Sequence, residues 1–193
     1  MLMRLAVRLH RAGDRSLAYE ICRAAPWAVS TAAGPSLLRL GEGLDSWSAT
    51  DCYGSFVSGV AWREGALGDA HIAAFARSGD RWMRRAALVS TVPLNNRARG
   101  ATNPKGDSKR TQRICRMLLD DRDDMVVKAM SWALRELAIR DRASVESFLS
   151  RHQSRLAPRV RREVQNKLTT GLKNPRSSPR KSQPSVRSKR TSA

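Results

Sequence analysis

The sequence predicts an all-α protein, built as a HEAT-like α-solenoid of short antiparallel helices. Several windows repeat apolar residues at positions i, i+3, i+4 and i+7, which is the pattern of amphipathic helices. Alternating strand patterns are absent, and aromatic residues make up only 5% of the chain. The predicted helices are many and short, whereas a four-helix bundle needs fewer and longer ones. We therefore expect one helical domain of stacked helices.

Helix start signals recur along the chain as an Asp or Ser before an apolar pattern, or as a Pro in its first turn. Helix starts are predicted near Met3, Asp14, Pro35, Ser46, Gly68, Asp80, Ser108, Asp123, Ala143 and Pro158. Most connections between them are short. Residues 93–107 (PLNNRARGATNPKGD) are the exception, because Pro, Asn and Gly remove any helical preference. We expect a mobile basic insert there.

The charge of the chain predicts a polyanionic partner. Its 36 Lys and Arg outnumber 17 Asp and Glu, for a net charge of +19. Residues 171–193 hold seven of the basic residues and no acidic one, which leaves +12 on residues 1–170. Such an excess is typical of proteins that bind nucleic acid. The Pro-, Ser- and Lys/Arg-rich segment 171–193 is predicted to be a disordered tail that adds nonspecific affinity for phosphates.

The same composition excludes several other classes of protein. No apolar run is long enough for a membrane span, and arginines interrupt the N-terminal segment, so we expect a cytoplasmic protein. Cys22, Cys52 and Cys115 lack metal-site spacing, and His10, His71 and His152 are predicted to be isolated solvated or capping residues. No P-loop, glycine-rich dinucleotide turn or HExxH motif is present. We expect no metal and no organic cofactor.

The predicted helix from Ser46 to Trp62 carries unusual residues opposite its apolar stripe. Projection at about 100° per residue places Trp47, Asp51 and Trp62 on that opposite side. They stand there among small residues that would let a large ligand approach, namely Gly54, Ser55 and Ser58. Two interpretations stay open: a ligand-binding face, or packing of Trp47 on the next repeat with Asp51 in an ion pair.

Two further helices contribute candidate residues. In the helix that begins near Asp123, Trp132 projects toward Lys128 and Arg135, which suits stacking on a base or sugar beside phosphate contacts. Cation–π packing against those two cations is the alternative. Arg85 projects close to the apolar stripe of its own helix, so it is predicted to be half-buried and held in place. It would act either as a phosphate clamp or in a structural ion pair with Asp51 or Glu64.

Three stretches, together with LDSW and Asp51 beyond it, also carry a family resemblance: SGDRWMRRAALVSTVPLN, DDRDDMVVKAMSWALRELAIRD and RVRREVQNKLTTGLKNP. Over roughly residues 1–175 the chain resembles the AlkD-type DNA glycosylases, which are HEAT-like-repeat proteins acting on alkylated purines in DNA. Family members generally begin with further helices, so this chain looks shortened at its N-terminus. The insert at 93–107 is a second departure.

The resemblance implies a role for each of four residues. Asp51 matches the family's catalytic aspartate, and Trp47 and Trp132 match its lesion-contacting tryptophans. Arg85 matches its phosphate-contacting arginine. The implied reaction is hydrolysis of the N-glycosidic bond of cationic N3- or N7-alkylated purines in duplex DNA. Asp51 would stabilise the oxocarbenium-like sugar and help to place the attacking water, and no general acid is needed because the leaving base is already cationic. Lys128 and Arg135 are expected to contact DNA.

Two other functions stay open at this point. A HEAT-like protein with a basic groove could bind damaged or branched DNA without cleaving it. A protein-interaction solenoid whose charge serves RNA or ribosome binding is favoured by the basic tail alone. The expected partner is duplex DNA that contains alkylated purines, and we expect the protein to be a monomer.

Overall fold

The computed structural model describes residues 1–96 and 106–175. These residues form helices joined by short turns, and the described part contains no strand. The helices are α1 Leu2–Arg11, α2 Arg15–Ala24, α3 Pro26–Ser30, α4 Gly34–Arg39, α5 Trp47–Cys52, α6 Gly59–Arg63, α7 Asp69–Ala76, α8 Arg81–Val89, α9 Val92–Asn95, α10 Ser108–Met117, α11 Asp124–Ala138, α12 Arg142–Arg151 and α13 Pro158–Thr170. A π-helical segment, Tyr53–Ser58, joins α5 to α6. The predicted all-α class is confirmed.

The helices pack as two rows, as in a solenoid. One row contains α5, α8, α11 and α13, in which each helix packs against the next. On the other side, α7 packs against both α8 and α10, and α10 and α12 each pack against α11. One continuous apolar core runs between the rows, from Ala6 in α1 to Leu168 in α13. Residues far apart in sequence therefore meet along the α5–α8–α11–α13 row.

Aspartate caps explain why many of these helices begin where they do. The side chains of Asp14, Asp80, Asp107, Asp123 and Asp141 each accept a hydrogen bond from a backbone N–H in the first turn that follows. A cap of this kind satisfies a donor that has no partner within the helix. At the C-terminal end of α13, Gly171 ends the helix with φ +76°, a backbone conformation that favours glycine.

The structure corrects the sequence interpretation in two connections. Pro26–Ser30 forms a short helix that the pattern did not predict. Val92–Asn95 forms another, and Pro93, Leu94 and Asn95 are buried rather than part of a mobile insert. Asn95 stabilises this segment because its side chain donates to the Thr111 hydroxyl and accepts from the Asp107 backbone N–H. The rest of the predicted insert, residues 97–105, lies outside the described residues, as does the predicted tail from residue 176.

The histidines also differ from expectation in part. His71 has a capping role, since its Nδ1 accepts from the Gly68 N–H at 3.2 Å. His10 is instead buried beside Tyr19, and His152 packs edge-on against Phe148, so neither is a simply solvated residue.

Cys22, Cys52 and Cys115 are free thiols, and burial raises the pKa of Cys115 to about 12. In the part of the chain that the structure describes, no helix is long and apolar enough to cross a membrane.

Candidate functional site

The centre of the candidate site is an ion pair between Asp51 of α5 and Arg85 of α8. Arg85 Nε donates to Asp51 Oδ1 at 2.8 Å, and Arg85 Nη2 donates to Asp51 Oδ2 at 2.8 Å. Two parallel hydrogen bonds of this kind fix the planes of both groups relative to each other. The Asp51 side chain is 20% exposed and that of Arg85 only 7%. The pair therefore presents the carboxylate to solvent and keeps the guanidinium beneath it.

Arg85 is held from a second direction by α11. Its Nη1 donates to the backbone carbonyl of Met125 at 2.5 Å, in the first turn of that helix. One buried guanidinium thus joins α5, α8 and α11. Because α8 packs against both of its neighbours in the row, the position of Asp51 depends on all three helices.

Two other arginines of α8, Arg84 and Arg81, join this helix to the turn that precedes α11. Arg84 Nε lies 2.7 Å from Asp121 Oδ2, and Arg81 Nη1 lies 3.7 Å from Asp123 Oδ2. Both aspartates belong to the turn that precedes α11. The RWMRR segment therefore uses each of its three arginines to join α8 to another element.

Trp47 lies at the start of α5, one turn before Asp51, and is 60% exposed. The structure thus excludes the alternative in which Trp47 packs into the next repeat. The large aromatic side chain of Trp47 is thus left in solvent, one turn from a carboxylate that is held by an ion pair. Trp47 and Asp51 together form an exposed face that can contact a ligand.

Trp132 lies on α11, two turns beyond Met125, and is half-buried. Its Nε1 donates to Glu136 Oε1 at 3.2 Å. The cation–π contacts among the described residues join other pairs, so the alternative in which Trp132 stacks on Lys128 and Arg135 is wrong for this structure. Among the described residues, no hydrogen bond joins Trp132 to the Asp51–Arg85 pair.

Lys128 and Arg135, the predicted DNA contacts, have protein partners. Lys128 Nζ lies 2.7 Å from Asp124 Oδ2, and Arg135 Nε donates to the Ser131 hydroxyl at 3.3 Å. Burial lowers the pKa of Arg135, while the charges of Glu163 and Glu136 oppose that shift. Contacts of both residues with DNA stay predictions, as does the phosphate contact of Arg85, whose guanidinium here binds Asp51 and Met125.

Two of the three small residues after Asp51, Gly54 and Ser58, do not admit a ligand, contrary to the sequence interpretation, whereas Ser55 is half-buried. Gly54 and Ser58 are buried against α8 and the turn that follows it. A Cβ on Gly54 would lie 2.6 Å from Val89 Cγ1, and the Ser58 hydroxyl is 2.7 Å from that of Ser90. Trp62 is also buried, and its Nε1 donates to Asp69 Oδ1 at 2.8 Å. These residues let two helices approach each other closely.

Sequence reasoning missed two features near the site. The Met125 carbonyl has no sequence signal, because every residue carries the same group. Glu163 of α13 is buried and accepts from the Ser131 hydroxyl at 2.6 Å. The burial of Glu163 could have been predicted from the sequence, because this residue falls on the apolar stripe of its helix with Val160, Val164 and Leu168.

The described residues contain no group of three or more His, Cys, Asp or Glu side chains placed to hold a metal ion. The site itself presents one partly exposed carboxylate, one buried guanidinium and one exposed indole. A fixed carboxylate of this kind can stabilise a developing positive charge.

Fold and site together define an all-helical, solenoid-like protein with a fixed carboxylate on the surface of one helix row. Comparison with protein families identifies it further. The model of the DNA alkylation repair enzyme family matches residues 9–168, which is most of the chain. The protein belongs to that family, and its general role is DNA alkylation repair. No match to it was found among curated proteins or among solved structures.

Proposed function

We propose that the protein is a DNA glycosylase that hydrolyses the N-glycosidic bond of cationic N3- or N7-alkylated purines in duplex DNA. The observation that carries this proposal is the carboxylate of Asp51, which is fixed by Arg85 yet partly exposed beside Trp47. Family membership supports the repair of alkylated DNA as the setting. The large positive charge of the chain supports DNA as the polymer that is bound.

In the proposed reaction Asp51 acts on the sugar. As the bond to the cationic base breaks, positive charge develops on the deoxyribose, and a carboxylate held in place stabilises it without having to reorient. Each carboxylate oxygen has two acceptor positions, and the two hydrogen bonds from Arg85 use one on each. The remaining positions can accept a hydrogen bond from the attacking water. Arg85 is a positioning residue in this scheme.

The tryptophans would contact the nucleotide around the lesion. The exposed indole of Trp47 offers a face on which a sugar or a cationic base can lie, one helical turn from Asp51. Trp132 would approach from α11, on the other side of α8 in the row. The hydrogen bond from its indole to Glu136 would hold the ring in one orientation for such a contact.

The test is release of free base from a duplex that carries N7-methylguanine, by the full chain and by Asp51→Asn. Asparagine keeps the size of the side chain and removes the charge, so we expect release to fall about 100-fold while duplex binding persists. Circular dichroism confirms folding of the variant, and both proteins are assayed at the same salt concentration. Equal release by the two proteins would exclude Asp51 as the catalytic carboxylate.

A noncatalytic DNA-binding protein is the second candidate function, and the ion pair itself favours it. Arg85 neutralises much of the charge that Asp51 would offer to the sugar. If neither protein releases base while both bind the alkylated duplex tightly, the function is recognition of damaged or branched DNA without cleavage.

A further inference from the structure

A cleft of about 550 Å³ lies between α12 and α13, on helices that do not contribute to the Asp51–Arg85 pair. Leu149 and Pro158 form apolar parts of its wall, Gln153 and Gln165 supply amides, and Arg161 and Arg162 supply positive charge. A second hollow of about 380 Å³ adjoins it, shares Gln153 and Arg161 with it, and adds Arg151. The combined surface brings three arginines to one place.

About half of the other arginines in the described part of the chain lie against carboxylates, whereas the three of this cleft do not. Arg161 and Arg162 have no ion pair among the described residues, and Arg151 donates only to the Ser147 hydroxyl, at 3.2 Å. Glu146 is the acidic residue of the wall, and its Oε1 already accepts from Arg142 Nε at 2.8 Å. The charge of the cleft is therefore left uncompensated by the protein.

Arg161 supplies the most specific observation. Its Nε is buried and has no hydrogen-bond partner within the described residues. Protein atoms cover Nε, so an oxyanion bound in the cleft would meet the terminal nitrogens of the guanidinium, which have no hydrogen bond among the described residues.

We propose that this cleft binds a nucleoside phosphate, either as a free nucleotide or as the phosphorylated end of a nucleic-acid strand. The phosphate would lie against Arg161 and Arg162. The volume exceeds what a phosphate alone needs and is in the range of cofactor and nucleotide sites. Leu149 and Pro158 offer an apolar surface for the base, and Gln153 and Gln165 carry the amide groups that pair with base edges. This proposal does not rest on the glycosylase assignment.

Isothermal titration of the full chain with adenosine 5′-monophosphate tests the proposal, with adenosine, inorganic phosphate and a 5′-phosphorylated single-stranded DNA hexamer as further probes. We expect the monophosphate to bind more tightly than adenosine, and Arg161→Gln to weaken its binding about tenfold. Arg77→Gln is the matched control, because it removes the same charge from an exposed residue just after α7, outside the cleft. It should bind like the unchanged protein.

The remaining outcomes separate the sources of the phosphate or overturn the site. Tighter binding of the hexamer than of the monophosphate identifies a strand end, and the reverse order identifies a free nucleotide; both support the proposed chemistry. If Arg161→Gln does not fold, Arg162→Gln replaces it, because Arg162 is exposed. If the cleft variant and Arg77→Gln weaken binding of the monophosphate equally, the attraction is a diffuse effect of charge and the site is overturned. The site is also overturned if no phosphorylated probe binds at millimolar concentration.

Discussion

Two junctions of the same helix row each hold an acid with a basic partner, and they differ in access. At the α5–α8 junction, Asp51 is 20% exposed, binds Arg85 through both oxygens and has the exposed Trp47 beside it. At the α11–α13 junction, the Glu163 side chain is only 6% exposed. Ser131 donates to it, and Lys173 Nζ lies 3.6 Å from its Oε2 on the outer side.

The difference indicates how a structural acid can be told from a candidate catalytic one in this fold. Both carboxylates join neighbouring helices, so an ion pair at a junction is no sign of catalysis in itself. Glu163 is covered by its partners, whereas Asp51 has its partner beneath it and solvent above. Of these two carboxylates, Asp51 is the one that is both held in position and open to solvent. Four substitutions test this contrast, and they are ordered by their expected effect on the free energy of unfolding.

Replacing Arg85 by Ala should have the largest effect. It leaves Asp51 without its cation and Met125 without a donor, and breaking a buried pair from one side costs about 3 kcal/mol. Urea unfolding followed by circular dichroism measures the loss. Arg81→Ala is the matched control on the same helix, because its ion pair is exposed and should be worth under about 1 kcal/mol. Equal losses in the two variants would mean that the buried pair does not join the helices as described.

Gly54→Ala should destabilise the same junction through packing alone. The added methyl would lie 2.6 Å from Val89 Cγ1 and 2.7 Å from Val89 Cβ, so the π-helical segment that continues α5 and the end of α8 must separate. Overpacking of this kind costs about 1–3 kcal/mol, and it should also reduce base release by moving Asp51. Thermal unfolding measures the first effect. Gly79→Ala, in a turn with open space around the added methyl, is the control. An unchanged melting temperature for Gly54→Ala would contradict the close approach of the two helices.

Glu163→Gln should cost about 1 kcal/mol, because the hydrogen bond from Ser131 survives while its charge is lost. The informative measurement is base release, which should stay within about twofold of that of the unchanged protein, since the acid is covered and no chemistry is assigned to it. Asp51→Asn makes the same chemical change at the open junction. A large loss of release in Glu163→Gln, with the fold intact, would break the distinction between covered and accessible acids.

These contrasts also mark what the sequence could predict. Aspartate caps and apolar periodicity placed most helices, because both depend on residues close together in the chain. The ion pair of Arg85 with Asp51 was one of two open alternatives, since periodicity puts Arg85 near a buried stripe but does not say which helix covers it. The sequence predicted that Gly54 and Trp62 would face a ligand, and this was wrong because both are buried. Projection at a constant angle fails where the π-helical segment changes the turn, and a helix in the middle of a row is buried on both flanks.

Trp47→Ala should have the smallest effect on stability and a clear effect on function. Its side chain is 60% exposed, so truncation removes little buried surface and should change the free energy of unfolding by less than about 0.5 kcal/mol. If the indole contacts the lesion-bearing nucleotide, base release should fall about tenfold, since stacking on an aromatic side chain contributes about 1–3 kcal/mol per base. Trp27→Ala is the matched control, because Trp27 is 65% exposed on α3 and has no assigned role. Single-turnover release compares the two variants. Equal rates of base release by Trp47→Ala and Trp27→Ala would mean that Trp47 has no part in the reaction. Asp51 would then be the one residue of the α5–α8 junction with a proposed contact to the substrate.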